Sequence, residues 1–174
     1  LSKRSGKAIT LATLLDEIPM DAARFFFNLR DANTHFDFDL DLAVEESSKN
    51  PVYYVQYAHA RICRILEKQR EEGVECKRLP DHRLVYTESA EIELIRHLAS
   101  LPDVISEGAK ELNPSVITKY LIELAQHFHK FYDSCPIKGM EEAVLQSRLS
   151  LCTAAKTVLK NLLDLLKVEA PEKM

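Results

Sequence analysis

The residues best equipped for chemistry lie in N-P-V-Y-Y-V-Q-Y-A-H-A-R-I-C-R-I-L-E-K-Q-R, residues 50–70. At about 100° per residue, Tyr53, Tyr57, Ala60, Arg61, Arg64 and Lys68 gather on one helical face, and Val55, Ala58, Ile62, Ile65 and Leu66 on the other. The first face carries two rings and three cations with no acid among them. Rings offer flat surfaces on which unstacked bases can rest, and cations meet phosphates, so the pattern suits single-stranded nucleic acid. The apolar face wants a core. Asn50 before Pro51 is a start signal, because a first-turn proline lacks only an N–H that would have been unpaired there.

A second stretch, L-S-K-R-S-G-K at residues 1–7, combines three cations with small residues, which suits gripping a polyphosphate. The other reactive residue types do not converge. His127 and His129 fall on opposite flanks of one helical stripe, which argues against a shared metal. Cys63, Cys76, Cys135 and Cys152 contain no C-x-x-C pair, and reduced thiols are expected. Arg148 falls at the edge of an apolar stripe, where a lone guanidinium would be costly to bury; pairing with a carboxylate at the bundle surface is expected, the alternative being that it reaches a ligand.

The elements that must position these residues read as helices. A short one is expected over Thr10–Ile18, stopped by Pro19, and another through Ala22–Leu29, with Asp21 as N-cap, Ala22, Phe25, Phe26 and Leu29 buried, and Arg24 pointing elsewhere. H-F-D-F-D-L-D-L alternates with period two and reads as an extended strap leading into Ala43–Ser47. After a polar loop over residues 71–86, Thr87 is the expected N-cap of a helix carrying Ile92, Leu94, Ile95, Leu98 and Leu101. Leu101-Pro102-Asp103 breaks it, and Val104–Leu112 forms a short helix. Asn113-Pro114 opens a helix to about Tyr132, with Ile117, Leu121, Leu124, Phe128 and Phe131 in one stripe. The longest helix spans residues 140–167, with Val144, Leu151, Ala155, Val158, Leu162 and Leu166 inward.

The 174 residues suffice for one domain with a core, plus an attached segment. Only four glycines and no tryptophan, with abundant Leu, Ala, Glu and Lys, point to an all-α protein: a helical bundle preceded by a short helical and extended connecting segment. A net charge of −4 excludes a surface coated in basic residues, so nucleic-acid binding must come from a local patch. No apolar run approaches the roughly 20 residues of a membrane span. The chain opens on Leu1 in a cationic run and reads as a segment of a longer protein.

Four stretches together resemble the C-terminal part of the arginyl-tRNA synthetases, a class I aminoacyl-tRNA synthetase family. Leu1-Ser2-Lys3-Arg4-Ser5-Gly6 resembles the tail of the K-M-S-K-S signature loop, with Leu1 in the Met place and Arg4 in the final Ser place. Asp21-Ala22-Ala23-Arg24 resembles the D-A-L-R motif, with Ala23 where Leu is frequent. Asn50–Arg61 resembles the family's most recognisable helix, and Ala170-Pro171-Glu172-Lys173-Met174 its A-P-E-R-M ending.

The resemblance implies a connecting segment over residues 1–49 and a helical anticodon-binding domain over 50–174. It implies arginine tRNA, through its anticodon loop, as partner, with Tyr53 and Tyr57 against bases, Arg61 and Arg64 against phosphates, and Tyr132 and Met174 as further contacts. It makes Lys3 the counterpart of the catalytic signature-loop lysine and Ser2, Lys3 and Arg4 the ATP contacts, only in the intact ligase. That enzyme uses ATP with Mg in the cytoplasm. The nucleotide-binding fold with its H-I-G-H motif is not in these 174 residues, so the segment should not charge tRNA alone; the catalytic domain of the same chain is the second expected partner. No cofactor of its own, DNA or membrane is expected. The alternative is a helical protein–protein interaction module, which would expose an apolar groove instead of the Tyr/Arg face.

Overall fold

The computed structural model describes residues 10–77, 79–80 and 83–174. Among them are eight helices and no β-strand: α1 (Leu11–Glu17), α2 (Met20–Asn28), α3 (Leu40–Val44), α4 (Pro51–Glu71), α5 (Ser89–Ala99), α6 (Leu101–Glu111), α7 (Ser115–Ser134) and α8 (Glu142–Leu165). The all-α expectation holds. Helices α4, α5, α7 and α8 pack as a bundle, α6 lies on α7, and α2 lies across α4 and α7.

Local chemistry sets the main boundaries. Asn50 Oδ1 accepts the Val52 N–H and Pro51 occupies the first turn of α4. That helix ends where Gly73 takes φ +79°, with Gly73 N–H bonded to the Arg70 carbonyl and Val74 N–H to that of Gln69, a left-handed C-terminal cap. Asn113 Oδ1 accepts from Ser115 N–H at the head of α7. The core is built from the expected stripes: Val55, Ala58 and Ile62 of α4 are fully buried, as are Leu121, Leu124, Phe128 and Phe131 of α7. Each such large side chain contributes roughly 1.5–3 kcal/mol of apolar burial. The inward stripe of α8 is wider than expected, adding Leu145, Leu149, Cys152, Leu159 and Leu163, because α4, α5 and α7 all pack against it.

Several local expectations are corrected. Asp21 does not cap α2; Pro19 holds that position, and the Asp21 carboxylate accepts hydrogen bonds from Gln56 and the Glu169 N–H instead. Arg24 does point away from the buried stripe, as expected, and reaches the Lys167 carbonyl at 2.6 Å. The period-two stretch is not extended throughout: Leu40–Val44 is a helical turn capped by Asp39. Phe36 and Phe38 before it pack against Phe26 and Phe27, so the alternation reflects one covered side without a sheet. Glu88, not Thr87, caps α5, in a capping box with Glu91. Ala60 does lie on the face of Tyr57, Arg61 and Arg64, but it is 5% exposed, covered by what packs across that face.

Arg148 does pair with a carboxylate, but inside the bundle. Its Nε donates to Glu91 Oε1 at 2.6 Å with both side chains buried, and Nη1 donates to the Pro136 carbonyl. Glu91 Oε2 takes the Thr87 and Glu88 N–H groups. One carboxylate thus closes the head of α5 and binds α8, which is how two charges persist where no water reaches.

Candidate nucleic-acid interface

Helix α4 presents Tyr53, Tyr57, Arg61, Arg64 and Lys68 along one line because successive members are three or four residues apart. Helix α7 runs beside it and brings His129, Tyr132 and Asp133, while residues 172–174 close the third side. The result is a cleft of about 600 Å³ walled by Tyr57, Arg61, Arg64, Lys68, Tyr132, Lys173 and Met174, with Glu67 and Glu172 also in its lining. Ala60 also lines it; its methyl leaves room that a larger side chain would fill. Five of the six residues expected to touch RNA therefore converge on one cavity. The sixth, Tyr53, stacks parallel to Tyr57 with centroids 6.2 Å apart and lines an adjoining hollow with Tyr54 and His129.

Arg61 is the hub. Its guanidinium carbon lies 4.7 Å from the Tyr57 ring centroid and 4.9 Å from that of Tyr132, so the cation bridges the two rings. Nη2 donates to the Tyr57 hydroxyl at 2.9 Å, and Nη1 contacts His129 Nδ1 at 3.1 Å. Because arginine only donates, Nδ1 must accept and the His129 imidazole must be neutral. Burial and then the Arg61 charge press its pKa down to about 4, consistent with that assignment. The ring also packs on Tyr54, 4.9 Å away between centroids.

Arg64 and Lys68 lie exposed at the cleft and make no ion pair among the described residues. Lys173 is 3.7 Å from Glu67, and Glu172 is 3.6 Å from Lys156, so the acids near the cleft are partly neutralised. Tyr132 is 40% exposed and Met174 52% exposed, leaving apolar surface open to a ligand. His129 is the residue sequence reasoning missed; weighed only as a metal ligand, it shares a face of α7 with Tyr132, three residues on, and that spacing was the available signal. Ser2, Lys3 and Arg4 lie outside the described residues.

Residues 55–174 match the DALR anticodon binding domain family. The chain is 50% identical over its whole length to an arginine–tRNA ligase of Caldanaerobacter subterraneus subsp. tengcongensis, and 46% identical to one from Acetivibrio thermocellus. It spans 31% of the length of each. The arginyl-tRNA synthetase structure from Thermus thermophilus superposes with a TM-score of 0.77 at 27% identity, over 99% of this chain and 29% of that one. The chain therefore belongs to the DALR anticodon-binding domain family, and the proteins it resembles there are arginine–tRNA ligases.

Proposed function

We propose that this chain is the anticodon-binding module of an arginine–tRNA ligase, and that its cleft receives unstacked bases of the arginine tRNA anticodon loop. The observation that carries the reading is the convergence of Tyr57, Arg61, Arg64, Tyr132 and Met174 on one cavity, with Tyr53 stacked beside it. Single-stranded loops leave base edges free to be read, and stacking on a ring is worth roughly 1–3 kcal/mol per base. Tyr53, Tyr57 and Tyr132 supply rings, Met174 a polarizable apolar contact, and Arg64 and Lys68 charge for the backbone. Arg61, tied to Tyr57 and His129, chiefly holds the rings in place and turns its remaining N–H groups to the RNA. An interaction module would need an apolar groove, whereas this cleft sets the rings of Tyr57 and Tyr132 among four cations, with Glu67 and Glu172 at its edge paired to Lys173 and Lys156.

Residues 1–49 are proposed to connect residues 50–174 to the catalytic domain of the intact ligase, a cytoplasmic enzyme attaching arginine to its tRNA at the expense of ATP with Mg. Lys3 is proposed to stabilise the triphosphate there, with Ser2 and Arg4 beside it. Binding of the purified chain to arginine tRNA transcript, and to a transcript with altered anticodon bases, is the test. The expected result is preference for the native anticodon with affinity falling as salt rises. Equal affinity for both transcripts, or no binding at low salt, would overturn the reading.

A further inference from the structure

The residues resembling the D-A-L-R motif lie outside the cleft, yet the structure ties them to one of its walls. Helix α8 ends in a left-handed cap: Lys167 takes φ +59°, its N–H bonds to the Asp164 carbonyl, and Val168 N–H bonds to that of Leu163. The chain then crosses the bundle as a strap, with Val168 buried and Ala170 packed on the core. Among the described residues no strand pairs with it, so its backbone polar groups need other partners. They find them at alternate residues. Arg24 Nη1 donates to the Lys167 carbonyl at 2.6 Å. Asp21 Oδ2 accepts the Glu169 N–H at 3.0 Å, while Gln56 Nε2 donates both to the Glu169 carbonyl and to Asp21. His59 Nδ1 meets the Pro171 carbonyl at 2.8 Å, which requires the proton on that nitrogen.

The next three residues, Glu172, Lys173 and Met174, are the third wall of the cleft. We infer that Asp21 and Arg24, with Gln56 and His59, are positioning residues for base recognition: they clamp the strap so that Met174 meets the base held by Tyr57 and Tyr132. The inference rests on the proposed reading of the cleft. It assigns the motif on α2 a share in RNA selectivity without contact with RNA. It also explains why Gln56 and His59 alternate along α4 with the cleft residues Tyr57 and Ala60. One helix presents the strap's anchors and the base site on adjoining faces.

The test is a double-mutant cycle in the 174-residue chain, reading affinity for arginine tRNA transcript and the ratio against an altered anticodon. Asp21→Ala and Met174→Ala should each weaken binding about tenfold, with the double variant little weaker than either, because both remove one contact. Asp21→Asn, which keeps an oxygen to accept the Glu169 N–H, should retain most of the affinity and the anticodon preference. If Asp21→Ala fails to fold, Arg24→Ala takes its place; its side chain is exposed, and it should also open the Lys167–Val168 bond to trypsin. Losses that multiply in the cycle, or clamp variants that bind and discriminate as the parent does, would overturn the inference. Tyr57→Ala separates the two claims: if it loses binding while the clamp variants do not, the clamp alone falls. If Tyr57→Ala binds normally, the reading of the cleft falls and takes the clamp with it.

Discussion

At the scale of single residues, Arg61 and Arg64 are three positions apart on one helix and placed for different work. The Arg61 guanidinium lies between two rings and donates to a hydroxyl and an imidazole, so part of its charge is already answered inside the protein. Arg64 is exposed and free of ion pairs among the described residues. A phosphate contact releases counterions and an internal contact does not. Arg64→Ala should therefore lower the salt slope of arginine tRNA binding by about 0.7, the value for one single-strand phosphate. Arg61→Gln should weaken binding as much or more while leaving the slope nearly unchanged, because it loosens Tyr57 and Tyr132. Equal slope changes in the two variants would put both on phosphates. Tyr57→Ala should cost roughly 1–3 kcal/mol, the range for one stacked base. A loss no larger than that of Ser106→Ala, on exposed α6, would remove Tyr57 from the site.

At the scale of elements, the most exacting join is Glu91 with Arg148. The carboxylate takes two N–H groups at the head of α5 and the guanidinium of α8, and Arg148 also ties Pro136 between α7 and α8. Arg148→Met would leave Glu91 charged and buried, a change expected to cost about 3–5 kcal/mol. Urea unfolding should show a midpoint lowered accordingly at unchanged m. A loss below about 1 kcal/mol would mean that water reaches the pair.

The same join shows where legibility ended. Helices α4 and α7 could be read because their signals are local: an Asn-Pro start, then an apolar stripe at helical spacing. The cleft residues on α4 could be read for the same reason, since three- and four-residue spacing needs no knowledge of the rest of the fold. The partners of Asp21, Arg24 and Arg148, and the burial of Ala60 and Arg148, could not. Each answers to residues far along the chain: Glu169 for Asp21, Lys167 for Arg24, the 172–174 wall beside Ala60, and Glu91 for Arg148. A helical angle places a side chain relative to its own axis and says nothing of what crosses that axis. The Phe36–Leu42 alternation misled in the same way. Its covered side is supplied by the α2 phenylalanines, and Asp39 then caps a turn of helix that the alternation hides.

At the scale of the whole molecule, three histidines couple the bundle to pH. His59 is buried beneath the strap, His97 stacks on Tyr120 with its Nε2 against the Tyr120 carbonyl, and His129 sits behind Arg61. In all three, burial chiefly holds the pKa below the ordinary histidine value of 6.5, for His129 down to about 4. The carbonyls facing His59 and His97 oppose the shift without cancelling it. Between pH 6.5 and about 4 the unfolded chain therefore binds protons that the folded chain refuses, and folding stability must fall as the pH falls through that window. Well above 6.5 all three are neutral in both states and contribute no slope. Asp31, Glu72 and Glu93, held low by hydrogen bonds from Ser115, Lys138 and Lys130 respectively, add a further loss only once the pH nears their ordinary values of 3.8 and 4.5. Thermal unfolding should thus give a Tm that is level from pH 8 to 7 and declines from about 6.5, before the carboxylates titrate. His129→Gln should flatten part of that decline, since glutamine can accept from Arg61 without gaining a charge. A Tm unchanged to pH 5 would mean that these imidazoles protonate in place, and that the space behind Arg61 is wetter than its packing implies.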